Sequence, residues 1–169
     1  MSNRAQREGD ASVSHEIDIT ETIGAPHAQP AWARDWNRFM NSNTHYSRTH
    51  QGDKEDLSKS GKAPLDTPAG EAFHTYAAWW VDANTVKLYL DDQYQFTLHP
   101  STNYSAAPFN RPMRLNLVVE TYDWQAPPSQ AEVSNSAINS TYYDWVRAYV
   151  LVKEKEEQSA ETPRPQRSP

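Results

Sequence analysis

The sequence predicts an all-β domain, a β-sandwich or jelly roll. Two observations carry this. Apolar residues recur with period two in several short runs, and helical periodicity is nearly absent. The runs are separated by turn residues and by long polar connections, the pattern of many short antiparallel strands. One face of each strand would meet the opposite sheet, and the other would meet solvent or a cleft.

The elements follow in order. His15-Glu16-Ile17-Asp18-Ile19-Thr20-Glu21 alternates acid with isoleucine, and residues 41–48 form a weaker strand. Residues 73–81 are an aromatic-rich strand candidate, and Val86, Leu88 and Leu90 alternate with Lys87 and Tyr89. Asp91-Asp92 then reads as a hairpin turn before residues 94–97. Met113, Leu115, Leu117 and Val119 share one face of a run over 113–121, and residues 142–152 are rich in β-branched and aromatic side chains. Helical signals are confined to a turn or two within 31–40 and a short helix over 129–133, after Pro127-Pro128. The connections over 24–39 and 51–71 read as long loops, which are usually functional.

Composition narrows the function. The chain has 169 residues, enough for one domain of ordinary size. Six Trp, nine Tyr and four Phe argue against disorder, and the lack of cysteine excludes disulfides, thiolate metal sites and a Cys nucleophile. A net charge of -6 disfavours nucleic acid and anionic membranes as partners. No apolar stretch is long enough to span a bilayer, and residues 1–10 contain no apolar signal region. Residues 1–12 read as a loose, disordered leader, 13–152 as the domain, and the charged, Pro-containing 153–169 as a disordered tail. No two of the six His stand at metal-ligand spacing on one element, and there is neither a Gly-rich phosphate loop nor a nucleophile elbow.

The most informative segment is the acidic strand. Glu16 and Asp18 point to one face, and Ile17 and Ile19 point to the other, toward the core. Glu21 lies five residues from Glu16, so a regular strand would send it to the wrong side. One β-bulge at Ile19 or Thr20 returns it to the face of the other two acids. A strip of three carboxylates repels itself, and its presence points to chemistry. Retaining glycoside hydrolysis needs two carboxyl groups about 5–5.5 Å apart, one attacking the anomeric carbon and one protonated to serve the leaving oxygen. The spacing leaves open which glutamate is which. An exposed acidic edge strand is the alternative that needs no catalysis.

Glu16-Ile17-Asp18-Ile19-Thr20-Glu21 resembles the bulged catalytic signature of glycoside hydrolase family 16. Downstream, Asn43-Thr44-His45-Tyr46, Phe73-His74-Thr75-Tyr76-Ala77-Ala78-Trp79-Trp80, Val86-Lys87-Leu88-Tyr89-Leu90-Asp91-Asp92, the run from Pro112 to Trp124 and Tyr143-Asp144-Trp145-Val146-Arg147 are similar to its β-agarase and β-porphyranase branch. The resemblance implies a jelly roll of the concanavalin A-like lectin and glucanase type with a cleft across its concave sheet. It implies endo-cleavage of β-1,4 bonds in an agar- or porphyran-type algal galactan, with retention. By position, Glu16 would be the nucleophile, Asp18 the assisting carboxylate and Glu21 the acid/base. In this family a front half precedes the catalytic strand, so the resemblance also implies a domain truncated on its N-terminal side, with residues 1–14 a non-homologous leader. The family is usually secreted, and this chain as written has no signal peptide. No cofactor is implied, and a structural calcium is left open. A truncated sheet would be covered by a second copy or by the missing front segment. The alternative function is a non-catalytic carbohydrate-binding remnant of the same fold.

Further site candidates divide between sugar contact and plain packing. His45 matches a family position near the acidic strip and would bond substrate or a carboxylate. Arg48, at the end of the same strand, would reach an anionic sugar. Asn116 and Glu120 share a polar strand face suited to sugar hydroxyls. Trp124, in a Tyr-Asp-Trp turn, offers a flat face to a sugar ring, and Trp36 lies in a loop that would shape the cleft.

Overall fold

The structure is a computed structural model describing residues 1–8, 11–23, 33–121 and 126–152, with backbone alone for 2–8. The chain forms two compact units, Met1–Pro128 and Ser129–Pro169. The first unit holds two antiparallel sheets. One contains β1 (Ser2–Glu8), β2 (Ala11–Glu21), β3 (Phe39–His50), β4 (Asp53–Asp56) and β5 (Lys59–Pro64). The other contains β6 (Tyr76–Asp82), β7 (Thr85–Leu90) and β8 (Gln93–Leu98). In the first sheet the order is β1-β2-β3-β4, and β5 pairs with the remaining length of β3.

The period-two pattern explains the sandwich. Val13 and Ile17 of β2 and Met40 and Tyr46 of β3 point inward. They join Val86, Leu88 and Leu90 of β7 and Leu98 of β8 in one core, with Phe109 packed among them. His15 also faces inward, its ring edge-on to Tyr46 at 5.2 Å and beside Phe109 at 5.5 Å. The sheets approach closely at Gly61 of β5: a Cβ there would stand 2.5 Å from the Phe96 ring of β8.

The turns match their residues. Asp91 and Asp92 adopt φ of 48° and 63°, a left-handed pair that closes the β7–β8 hairpin as the sequence predicts. Gln51 and Gly52 close β3–β4 in the same way, with φ of 53° and 95°. His74 Nε2 donates to the Thr67 carbonyl and Nδ1 bonds Asp91 Oδ2, both at 2.8 Å, which ties the segment after β5 to the β7–β8 turn.

Several expectations are corrected. Residues 2–8, expected to be loose, pair with β2 as β1. Ala11 and Ser12 already belong to β2. The expected loop over 51–71 contains β4 and β5, whose ladder comes from β3 and not from their own apolar pattern. β3 begins at Phe39, and among the described residues the helical signal reduces to 3-10 structure, at Ala33 and at Trp36–Arg38. The strand expected over 113–121 is absent apart from an isolated bridge at Arg114, and 142–152 forms no strand. Leu117 is 55 % and Val119 71 % exposed. A two-faced sequence becomes a strand only beside a neighbour that completes its ladder, and beyond the bridge at Arg114 the described residues supply none here. The short helix is present in the second unit as α1 (Gln130–Val133), opened by a capping box between Ser129 and Glu132. Residues 24–32 and the tail 153–169 lie outside the described residues.

Candidate active site

The outer face of β2 and β3 carries the acidic strip. Residues paired across an antiparallel ladder share a face. Glu16 stands opposite His45, Asp18 opposite Asn43, and Glu21 opposite Asn41. The register gains one residue on β2 between Asp18 and Glu21, which is the bulge that the spacing demands. Glu21 therefore turns outward with Glu16 and Asp18, while Ile17 stays in the core. β3 holds the bulge in place. Ser42 Oγ donates to the Ile19 carbonyl at 2.7 Å, and Asn41 Nδ2 donates to the Glu21 carbonyl at 3.1 Å. Asn43 Nδ2 donates to Glu21 Oε2.

His45 links the strip to the next strand. Its Nε2 lies 3.0 Å from Asp18 Oδ2, and its Nδ1 lies 2.9 Å from Ser58 Oγ. Ser58 occupies the break between β4 and β5, and its hydroxyl donates to Asp56 Oδ1.

The surroundings set the charges. Burial pushes Glu16 above the usual carboxylate range, helped by Asp18 and Glu120 and opposed by His45. Burial likewise raises Glu21, with Asp18 adding to it and His45 and the Asn43 donation opposing. The hydrogen bond to Asp18 raises His45 against the effect of its burial. Donation from the Ser58 side chain and backbone holds Asp56 below the usual range. The strip thus favours retention of a proton, as an acid catalyst requires.

Among the described residues, Asp18, Glu21 and His45 also bring one potential metal-ligand atom each within 4.8 Å of one another. Both His45 nitrogens are already engaged by Asp18 and Ser58, so the arrangement reads as a hydrogen-bonded acid cluster.

The family model for the GH16 domain of β-porphyranases A–D matches residues 1–151. The chain belongs to this family. It is 47% identical over 139 residues to β-porphyranase E of Zobellia galactanivorans, covering 81% of this chain and 48% of that protein. It is 44% identical over 147 residues to β-porphyranase B of Phocaeicola plebeius, covering 82% and 46%. The crystal structure of a β-porphyranase from the human gut bacterium Bacteroides plebeius superposes with a TM-score of 0.82 at 42% identity, covering 91% of this chain and 57% of that one. The fold is accordingly the GH16 jelly roll. The chain spans about half the length of the curated relatives it matches. The family match starts at residue 1, which corrects the reading of 1–14 as a non-homologous leader.

Within this GH16 chain, the other predicted site residues divide. His45 joins the strip. Glu120 acts electrostatically on Glu16, so it lies near the strip, and both Glu120 and Asn116 are exposed. The turn of Trp36 adjoins the Glu21 end, because Thr22 Oγ1 donates to the Trp36 carbonyl at 3.1 Å. Trp124 lies outside the described residues. Arg48 is a correction. It pairs with buried Val13, so its side chain is on the face opposite the acids, where its guanidinium lies 4.5 Å from the Tyr104 ring centroid. Three residues from His45 is an odd step, and an odd step changes face.

Sequence reasoning missed Asn41, Asn43, Ser58, Asp56 and Lys62. The alternation Asn41-x-Asn43-x-His45 was a usable signal for the first two. Lys62 pairs with Asn41 and so shares the acidic face, its ammonium 4.6 Å from the Phe39 ring centroid. No local periodicity marks Ser58, Asp56 or Lys62.

Proposed function

We propose that this chain carries the catalytic strip of an endo-acting, retaining glycoside hydrolase that cleaves β-1,4 galactosidic bonds in a porphyran- or agar-type galactan. The observation that carries the reading is the bulge, which turns Glu16, Asp18 and Glu21 to one face of β2 beside His45. The similarity to β-porphyranases supports the substrate class.

In this mechanism Glu16 attacks the anomeric carbon as a carboxylate. Glu21, held by Asn43, gives its proton to the leaving oxygen and becomes a carboxylate. The glycosyl ester at Glu16 then removes a negative charge that had raised Glu21. Glu21 takes a proton from the incoming water, and the water oxygen displaces Glu16 from the sugar. Asp18, bonded to His45, stands between the two glutamates and orients them.

Fresh porphyran digests followed by proton NMR test this reading. Retention predicts that new reducing ends appear first as the β anomer. Ends that appear first as the α anomer would contradict the double displacement.

One observation favours binding without turnover. Asn116 and Glu120 lie exposed on the 113–121 segment, which forms no strand beyond the isolated bridge at Arg114. A sugar-binding face held in that way would lose orientation before it lost affinity. Retarded migration in porphyran gels with no new reducing ends would support this second reading over the first.

A further inference from the structure

A chain of hydrogen bonds runs from the strip to the edge of the sheet, and counting its protons fixes their direction. Asp56 Oδ1 accepts from Ser58 N at 3.0 Å and from Ser58 Oγ. The hydroxyl has one hydrogen and gives it to Asp56. Ser58 Oγ can therefore only accept from His45 Nδ1, 2.9 Å away. With Nδ1 committed as a donor, Nε2 meets Asp18 Oδ2 in one of two ways. It donates to the carboxylate, or it accepts from the carboxylic acid.

We propose that Ser58 and Asp56 are positioning residues that lock the proton on His45 Nδ1, so that Nε2 and Asp18 share a single further proton. This deepens the hydrolase reading and its catalytic meaning rests on it. While the shared proton is held, the His45–Asp18 pair is neutral, and the central member of the strip adds little repulsion between Glu16 and Glu21. Once it leaves, a full negative charge stands between the two glutamates. The charged groups facing His45 are Asp18, Glu16 and Glu21 from β2 and Asp56 from β4, with Lys54 acting on Asp56. Every acid in this set favours the protonated ring. Asp56 is held in its ionised form by Ser58, in keeping with a pure acceptor at the end of the chain.

The test is a nitrogen-15 NMR titration of the histidine rings in the whole chain, with His45 assigned from the signals lost in His45→Gln. In wild type, Nδ1 should remain protonated on both sides of the titration while Nε2 loses its proton. Ser58→Ala should lower the midpoint by about one pH unit, the size of one hydrogen bond to a charged group, and should populate both neutral tautomers. Ser58→Thr keeps the hydroxyl and should restore both properties. A neutral His45 protonated on Nε2 in wild type, or a Ser58→Ala titration identical to wild type, would overturn the proposal. These spectra do not depend on turnover, so a chain that never cleaves porphyran refutes the hydrolase reading without deciding this one. Where cleavage is measured, Ser58→Ala should reduce kcat about tenfold with KM unchanged and move the alkaline limb of the pH profile. An equal loss at every pH would indicate a merely structural role and count against it.

Discussion

Glu16 and Glu21 face the same side of β2 although five residues separate them. The extra residue between Asp18 and Glu21 reverses the alternation once. Excising Thr20 should remove that reversal and send the Glu21 side chain toward the core, away from Asn43. Loss of a positioned general acid lowers rates by about 10²–10⁴-fold. The deletion should reproduce the kinetic loss of Glu21→Gln, measured as reducing ends released from porphyran. Near-wild-type rates in the deletion would mean that the bulge does not organise the site.

Glu21 is raised above its ordinary value of 4.5 in the folded chain. Between that value and the raised one, the folded state holds a proton that the unfolded chain has released. Stability tied to this group is thus full below 4.5 and lost as pH rises through the folded value. Glu21→Gln should therefore raise the urea midpoint near neutral pH and leave it unchanged near pH 3, a value chosen below both ionisations. His45 acts with the same sign in a higher window: its contribution is present below 6.5 and declines as pH rises through its raised value. Asp56 acts in the opposite sense, with its contribution present above 3.8 and lost as pH falls through its lowered value.

Lys62 places a positive charge on the acidic face next to Asn41. On a charged galactan, Lys62→Ala should raise KM by about three- to tenfold with little change in kcat, as expected for one partly screened ionic contact. The difference should shrink as salt is added. A salt-independent KM, equal in both proteins, would remove Lys62 from substrate recognition.

Gly61→Ala should destabilise the fold by about 1–3 kcal/mol, because the new methyl group meets the Phe96 ring across the two sheets. Phe96→Leu in the same chain should recover part of the loss. Urea unfolding followed by tryptophan fluorescence checks both.

The strip was legible because alternation is a local property. Ile17 facing the core forces Glu16 and Asp18 outward, and the position of Glu21 then requires a bulge. The Asp91-Asp92 turn was legible for a similar reason, since both residues tolerate the left-handed region. Ser58 and Asp56 were not legible. They reach His45 only because β4 and β5 both lie along β3, and that pairing leaves no mark in the sequence Lys54-Glu55-Asp56-Leu57-Ser58-Lys59. Arg48 lies three residues past His45 and so on the opposite face, which its place at the end of the strand does not by itself reveal. The 113–121 run shows the converse limit: Leu115, Leu117 and Val119 alternate as a strand should, yet a strand is a property of two neighbours and not of one segment.

The measurement that bears most directly on the central claim compares wild type with Glu16→Gln on porphyran, scoring both reducing ends and gel retardation. The account predicts cleavage by wild type, a loss of about 10³-fold or more in Glu16→Gln, and equal retardation of the two proteins. Cleavage at the same rate by both proteins would contradict the assignment of Glu16 as nucleophile. Retardation of both with cleavage by neither would contradict the hydrolase reading itself.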